Sequence, residues 1–111
     1  MSIESRRESG FLVITPVGSL ASMEEIRALE QAAVEMIDQV DRRIILDVAR
    51  LSHVNSVGLG ALVALHTRME RLGGGIVFAG VNKELETIFR ITKLDSVLSR
   101  ASSVAEALEL P

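Results

Sequence analysis

The sequence predicts a single α/β domain, a mixed sheet that opens with a hairpin and carries about four helices. Three observations predict it. The runs Ile44-Ile45-Leu46 and Ile76 to Ala79 are apolar at successive positions, which suits strands covered on both faces. Around them, apolar residues recur at helical spacing, so strands alternate with helices. Near the start, Glu8-Ser9-Gly10 has turn composition between two short strand-like stretches. A chain of 111 residues supports one core and not two, so residues 1–111 are read as one domain.

Each element has a local reason. Ile3 to Arg7 and Phe11 to Val17 form the hairpin strands, and Pro16, with no N–H to donate, sets the end of the second near that point. Ser22 and Glu25 make a Ser-x-x-Glu capping box, and Ile26, Leu29, Ala33, Ile37 and Val40 continue one helical stripe, giving a helix from about Met23 to Gln39. Arg43 to Val48 is an interior strand. A second helix runs from about Ser56 to Leu72 and stops at Gly73-Gly74-Gly75. After the strand at Ile76 to Ala79, Asn82 caps a third helix over Lys83 to Thr92, and Ser103 with Glu106 marks a short last helix. The chain has no linker, internal repeat or low-complexity segment.

Composition removes several classes of function. A net charge of -3 supplies no attraction for a phosphate backbone, and with Phe11, Phe78 and Phe89 as the only aromatics there is no platform for stacking bases. Nucleic acid is therefore not an expected partner. The absence of cysteine excludes disulfides, thiolate metal sites and thiol nucleophiles, and agrees with a reducing compartment. No apolar run has bilayer length, and Met1 to Arg7 lacks the apolar core of a signal peptide, so a soluble, cytoplasmic protein without membrane insertion is expected.

Catalytic and metal-binding patterns are weak. Val54-Asn55-Ser56-Val57-Gly58 lacks the first glycine of a Gly-x-Ser-x-Gly nucleophile elbow, so a serine esterase is not supported. His53 and His66 are the only imidazoles; His66 falls on the inward side of its helix, where packing is the ordinary role. Asp47 has no second ligand at metal spacing and reads as a hydrogen-bonded strand-end residue, while Asp38, Asp41, Arg42 and Arg43 read as a solvated helix end and turn. Gly58-x-Gly60 reads as a close-packing site, not a phosphate loop. No catalytic residue, metal or cofactor is assigned.

Ser56 carries the main functional signal. It stands at a helix start, where unpaired N–H groups and the helix dipole favour an anion, including a phosphate on the serine itself. Capping is the ordinary job of serine at such a place. At about 100° per residue, Leu59, Leu62, Leu65, His66 and Met69 gather on one side of the second helix, and Val57, Gly60, Ala61 and Ala64 on the other, with Arg68 and Arg71 beyond. Spacing alone leaves two readings of that second side: a docking surface, or a second packed face with Val57 and Ala61 as core residues.

The run Ile44 to Leu46 with Asp47, the stretch Asn55-Ser56-Val57-Gly58-Leu59-Gly60, and Thr92-Lys93-Leu94 give the chain a resemblance, over nearly its whole length, to the STAS-domain anti-sigma-factor antagonists. That family usually reads Asp-Ser-(Ser or Thr)-Gly-Leu-Gly, and the first Ser is phosphorylated by a partner kinase. Ser56 matches that position; Asn55 and Val57 depart from it, as do Ala21, where Asp is common, and Lys93, where Gly is common. The resemblance implies a STAS-like fold and a partner-switching function, with no enzyme activity of its own. Unmodified, the chain would occupy an anti-sigma factor with serine-kinase activity. Phosphorylation at Ser56, with ATP held by that kinase, would release it, and a serine phosphatase would restore binding. The implied partner surface is Ser19, Leu20, Ala21, Ser22 and Met23 with His53, Asn55, Ser56 and Val57, extended by Gly60, Ala61 and Ala64. The protein would be a monomer or weak homodimer. The alternative is a non-switching STAS accessory subunit of a stress-sensing complex or a lipid-transport ATPase.

Overall fold

A computed structural model describes residues 2–36 and 43–110. Strands β1 (Ser2–Glu8) and β2 (Phe11–Leu20) form an antiparallel hairpin, with Glu8 opposite Phe11. The two connecting residues, Ser9 and Gly10, have φ of 50° and 83°, the double left-handed pattern of the tight turn that matches strand twist. Helix α1 is Met23–Met36, β3 is Arg43–Asp47, β4 is Leu51–Val54 and α2 is Ser56–Arg71. β5 (Gly75–Ala79), α3 (Lys83–Ile91), a 3₁₀ turn at Leu94–Ser96, β6 (Ser99–Ala101) and α4 (Val104–Leu108) complete the order.

The sheet runs β1-β2-β3-β5-β6, and every pairing after the hairpin is parallel. β2 is longer than its expected end at Val17 and changes partner along its length. Leu12, Val13 and Ile14 pair with Ile44, Ile45 and Leu46 of β3, whereas Gly18, Ser19 and Leu20 pair with Leu51, His53 and Val54 of β4. Pro16 falls between the two sets, where that edge has no strand partner and a missing N–H costs least.

Strand alternation sorts the core into two. Leu12, Ile14, Ile44, Leu46, Ile76 and Phe78 face α1, α2 and α3, meeting Ile26, Leu29, Leu62, Leu65, Met69, Leu85 and Phe89. Phe11, Val13, Ile45, Ala79 and Ala101 form the other cluster with Ala107 of α4. Ile44-Ile45-Leu46 is thus buried on both sides, as its composition predicts. Phe78 and Phe89 meet edge to face with centroids 6.2 Å apart, fixing α3 on the sheet.

The helix ends follow the expected caps. Ser22 Oγ accepts from Glu25 N–H at 3.2 Å, Asn82 Oδ1 from Leu85 N–H at 2.8 Å, and Ser103 Oγ from Glu106 N–H at 3.1 Å. At the end of α2, Gly73 N–H reaches Glu70 O and Gly74 N–H reaches Met69 O, which satisfies carbonyls of the last turn. The sequence reading did not identify β4, β6 or the 3₁₀ turn. Its expected end of α1 at Gln39, with Ile37 and Val40, and the charges Asp38, Asp41 and Arg42, lie outside the described residues.

Lys93 follows the C-cap of α3 with φ 62°, a conformation that costs an L-residue about 1–2 kcal/mol. The expected outcome for Lys93→Gly is a gain in stability of about 0.5–1 kcal/mol, after the greater unfolded-state entropy of glycine is set against the relieved strain. A urea midpoint that rises at unchanged slope would show it.

Candidate partner-binding site

The site is built where β2 and β4 end side by side. Leu20 is paired with Val54, so the next residues, Ala21 and Asn55, leave the sheet together and lead into α1 and α2. Asn55 is the N-cap of α2: its Oδ1 accepts from Gly58 N–H at 3.0 Å. Its Nδ2 donates to Ala21 O, also at 3.0 Å. Capping therefore falls to Asn55, and Ser56 is the exposed first residue of the helix.

Glu25 holds the other side of the loop. Its carboxylate accepts from the Ser19 hydroxyl, from Ala21 N–H at 3.1 Å and from the Ser22 hydroxyl at 3.1 Å. The capping box is thus closed through Ser22 and extended back to Ser19. The Ser19 hydroxyl, then Ala21 N–H, and more weakly the Ser22 hydroxyl and N–H, hold the Glu25 carboxyl below its ordinary range against some desolvation. Ala21 is consequently fixed at both polar groups, its N–H on Glu25 and its C=O on Asn55.

Close approach sets the geometry beneath. A Cβ at Gly58 would lie 1.9 Å from Leu20 O and 3.1 Å from Val54 Cγ1, so only glycine lets the start of α2 rest on the end of β2. Gly60 has open space at the equivalent position, so close packing belongs to Gly58 alone.

The predicted surface residues divide by exposure. Ser22, Met23, His53, Asn55, Ser56, Val57, Gly60 and Ala64 are exposed, and Ser19 and Ala21 are half-buried. Met23 and Val57 are large apolar side chains left 55% and 49% exposed. Two residues are corrected: Leu20 and Ala61 belong to the core. Leu20 and Ala61 both belong to the cluster between the sheet and the helices, and Ala61 shows that α2 has a second covered side that periodicity cannot reveal. Leu59 and His66, expected inward, are half-buried, with the His66 side chain 12% exposed and 3.9 Å from Glu70.

Asp47 is a strand-end anchor, as its position suggests. It accepts from Ala49 N–H at 3.1 Å and from the Thr15 hydroxyl at 3.4 Å. Among the described residues, no group of three or more acidic, histidine or cysteine side chains is placed to hold a metal, and no helix is long and apolar enough to cross a membrane. What the sequence reading missed at this site is the Asn55–Ala21 bridge; the Asn in place of the usual Asp was its only trace.

Fold and site together define a small mixed-sheet domain that presents a loop and two helix starts as one face. The chain belongs to the STAS domain family, whose sequence profile matches residues 2–107. It is 25% identical over 75 residues, 68% of its length, to BtrV of Bordetella bronchiseptica, named as a candidate anti-sigma factor antagonist; the match spans 65% of that relative's own length. A candidate anti-sigma factor antagonist from Thermotoga maritima has the same fold, with a TM-score of 0.85 at 18% identity over 96% of this chain and 92% of that one. The phosphorylated form of the Bacillus cell fate determinant SpoIIAA superposes with a TM-score of 0.71 at 17% identity, over 97% of each chain. These likenesses establish the fold.

Two outcomes are expected from the geometry. Gly58→Ala should destabilise the domain by about 1–3 kcal/mol, because α2 must move off Leu20, and thermal or urea unfolding would measure it. Glu25, with its lowered native pKa, binds a proton more readily in the unfolded chain, so its contribution is complete at neutral pH and is lost as the pH falls through the ordinary glutamate range and then the lowered native value. Glu25→Gln should therefore flatten the acid limb of the stability-pH curve relative to wild type.

Proposed function

We propose that this chain is an anti-sigma-factor antagonist that acts by partner switching. The observation that carries the reading is the placement of Ser56. It is exposed at the start of α2, directly after the Asn55 that bonds to Ala21 and before exposed Val57, while Met23 is left exposed at the start of α1. The names of the relatives, and the phosphorylated form in which SpoIIAA was solved, support the same direction.

In this reading the unmodified face docks an anti-sigma factor with serine-kinase activity through Met23, Val57, Gly60 and Ala64, with Ser19, Ala21, Ser22, His53 and Asn55 at the polar rim. The kinase brings ATP and transfers its terminal phosphoryl group to the Ser56 hydroxyl. The phosphoserine then carries roughly -1.5 to -2 charges to a helix start that has no acidic residue in its first turn, next to exposed Val57, so a docked neighbour is lost through desolvation and bulk. A serine phosphatase reverses the step. Because Asn55 already occupies Gly58 N–H, the added phosphate need not remake the cap for binding to end. The chain is placed in the cytoplasm, as a monomer or weak homodimer, by this role.

The second reading, an accessory STAS subunit held in a stress-sensing complex or lipid-transport ATPase, is favoured by one feature: Asn55 and Val57 stand where the resemblance leads one to expect an acid and a hydroxyl. Wild type and Ser56→Asp, used as parallel baits in a lysate of the source organism, separate the two. The expected result is an anti-sigma-type serine kinase captured by wild type, at least about tenfold depleted on the Asp bait, that labels Ser56 when given ATP. Equal capture of transporter or stress-complex subunits by both baits, with no kinase, would overturn the antagonist reading.

A further inference from the structure

We infer that Asn55 is a positioning residue whose side-chain amide joins the Ala21–Ser22 turn between β2 and α1 to the start of α2, so that both halves of the recognition face meet a partner as one pre-organised body. The inference rests on the partner-binding reading for its consequence, but its geometry stands independently. The two ends of the amide do different work. Oδ1 caps α2 through Gly58 N–H, and Nδ2 crosses to Ala21 O, in a segment 34 residues away in sequence. An aspartate could perform only the first. It has no donor for Ala21 O, and when ionised would set a negative oxygen against that carbonyl.

The loop has one other tie at the same residue, Ala21 N–H to Glu25, which belongs to α1. Without the Asn55 bridge, the polar contacts of Ala21 bind it to α1 only, and the turn beyond Leu20 loses its side-chain tie to the start of α2. With it, Met23 on α1 and Val57 on α2 are held through the chain Glu25–Ala21–Asn55. A partner that must cover both then meets a face already ordered, and association does not wait on the loop. The amide also adds no second carboxylate beside Glu25, so that a phosphate on Ser56 brings charge to a helix start that has no acidic residue in its first turn.

Nuclear magnetic resonance on the full chain tests the bridge, comparing wild type with Asn55→Asp and Asn55→Ala through the Ala21 carbonyl carbon shift, which reports the bond accepted there, and through Gly58 N–H exchange. In Asn55→Asp the Ala21 carbonyl carbon should move upfield while Gly58 N–H stays as protected as in wild type. In Asn55→Ala the carbonyl carbon should move likewise and Gly58 N–H should exchange about fivefold faster, the change one neutral hydrogen bond supports. A residue that only capped the helix would leave the Ala21 carbonyl carbon unmoved in Asn55→Asp, and that result overturns the inference. A second arm uses the kinase captured by wild type: its association rate should fall about fivefold with both variants. Slowing by Asn55→Asp alone would assign the effect to charge and overturn the positioning role. Should wild type capture no kinase, the antagonist reading fails, and the Ala21 carbonyl shift still decides whether Asn55 makes the bridge.

Discussion

The structure depends on a single change of partner along β2. Its first half is paired with β3, its last residues with β4, and Pro16 sits in the gap between them. That exchange carries the chain from β3 through the turn at Val48–Arg50 to a strand lying beside the end of β2, tied by Gly18 N–H to Arg50 O at 3.3 Å. From there the register fixes the rest: Leu20 beside Val54, Ala21 beside Asn55, and α2 pressed so close to Leu20 that Gly58 has no room for a side chain. Neither helix start could be presented next to the other if β2 stopped where its proline alone suggests.

How much of this was legible follows from the range of each interaction. The caps of α1, α3 and α4, the glycine stop of α2 and the doubly buried strands β3 and β5 are set by residues within a few positions of one another, and sequence shows them directly. β4 and β6 are different. Leu51-Ser52-His53-Val54 and Ser99-Arg100-Ala101 have little strand character of their own and are strands because β2 and β5 supply their ladders. Arg100 helps hold the second of these in place, donating to Glu86 and, at 3.1 Å, to Asp95 O. The candidate site shares that division. Its exposed members are named from the family resemblance and, for Val57, Gly60 and Ala64, from helical periodicity, while the burial of Leu20 and Ala61 is set by tertiary packing that neither shows.

The loop between β2 and α1 shows how a departure from a family pattern can be accommodated. With Ala21 where the resemblance leads one to expect an acid, the loop has no carboxylate of its own to organise its N–H groups and hydroxyls, and Glu25 takes them from inside the helix. Asn55, where another acid is usual, then supplies a donor that an acid lacks. The two departures fit one another. An aspartate at 21 and another at 55 would bring negative charge to both sides of the contact, whereas alanine and asparagine leave one neutral hydrogen bond across it.

The uncharged amide of Asn55 bears on the serine that follows it. A switch based on charge works by contrast, and the contrast is largest when the unmodified surface has no charge to begin with. Ser56 lies beside an uncharged amide and next to exposed Val57, at a helix start with no acidic residue in its first turn and whose Gly58 N–H is already bonded. A phosphate there has less to gain from the helix than it would at an open N-terminus, and more to disturb in whatever covers the apolar side chains. Asn55 and Val57, which depart from the family motif, are therefore compatible with a phosphate-controlled surface; under the antagonist reading, recognition would rest on the shape of the joined turn and helix start instead of on a carboxylate.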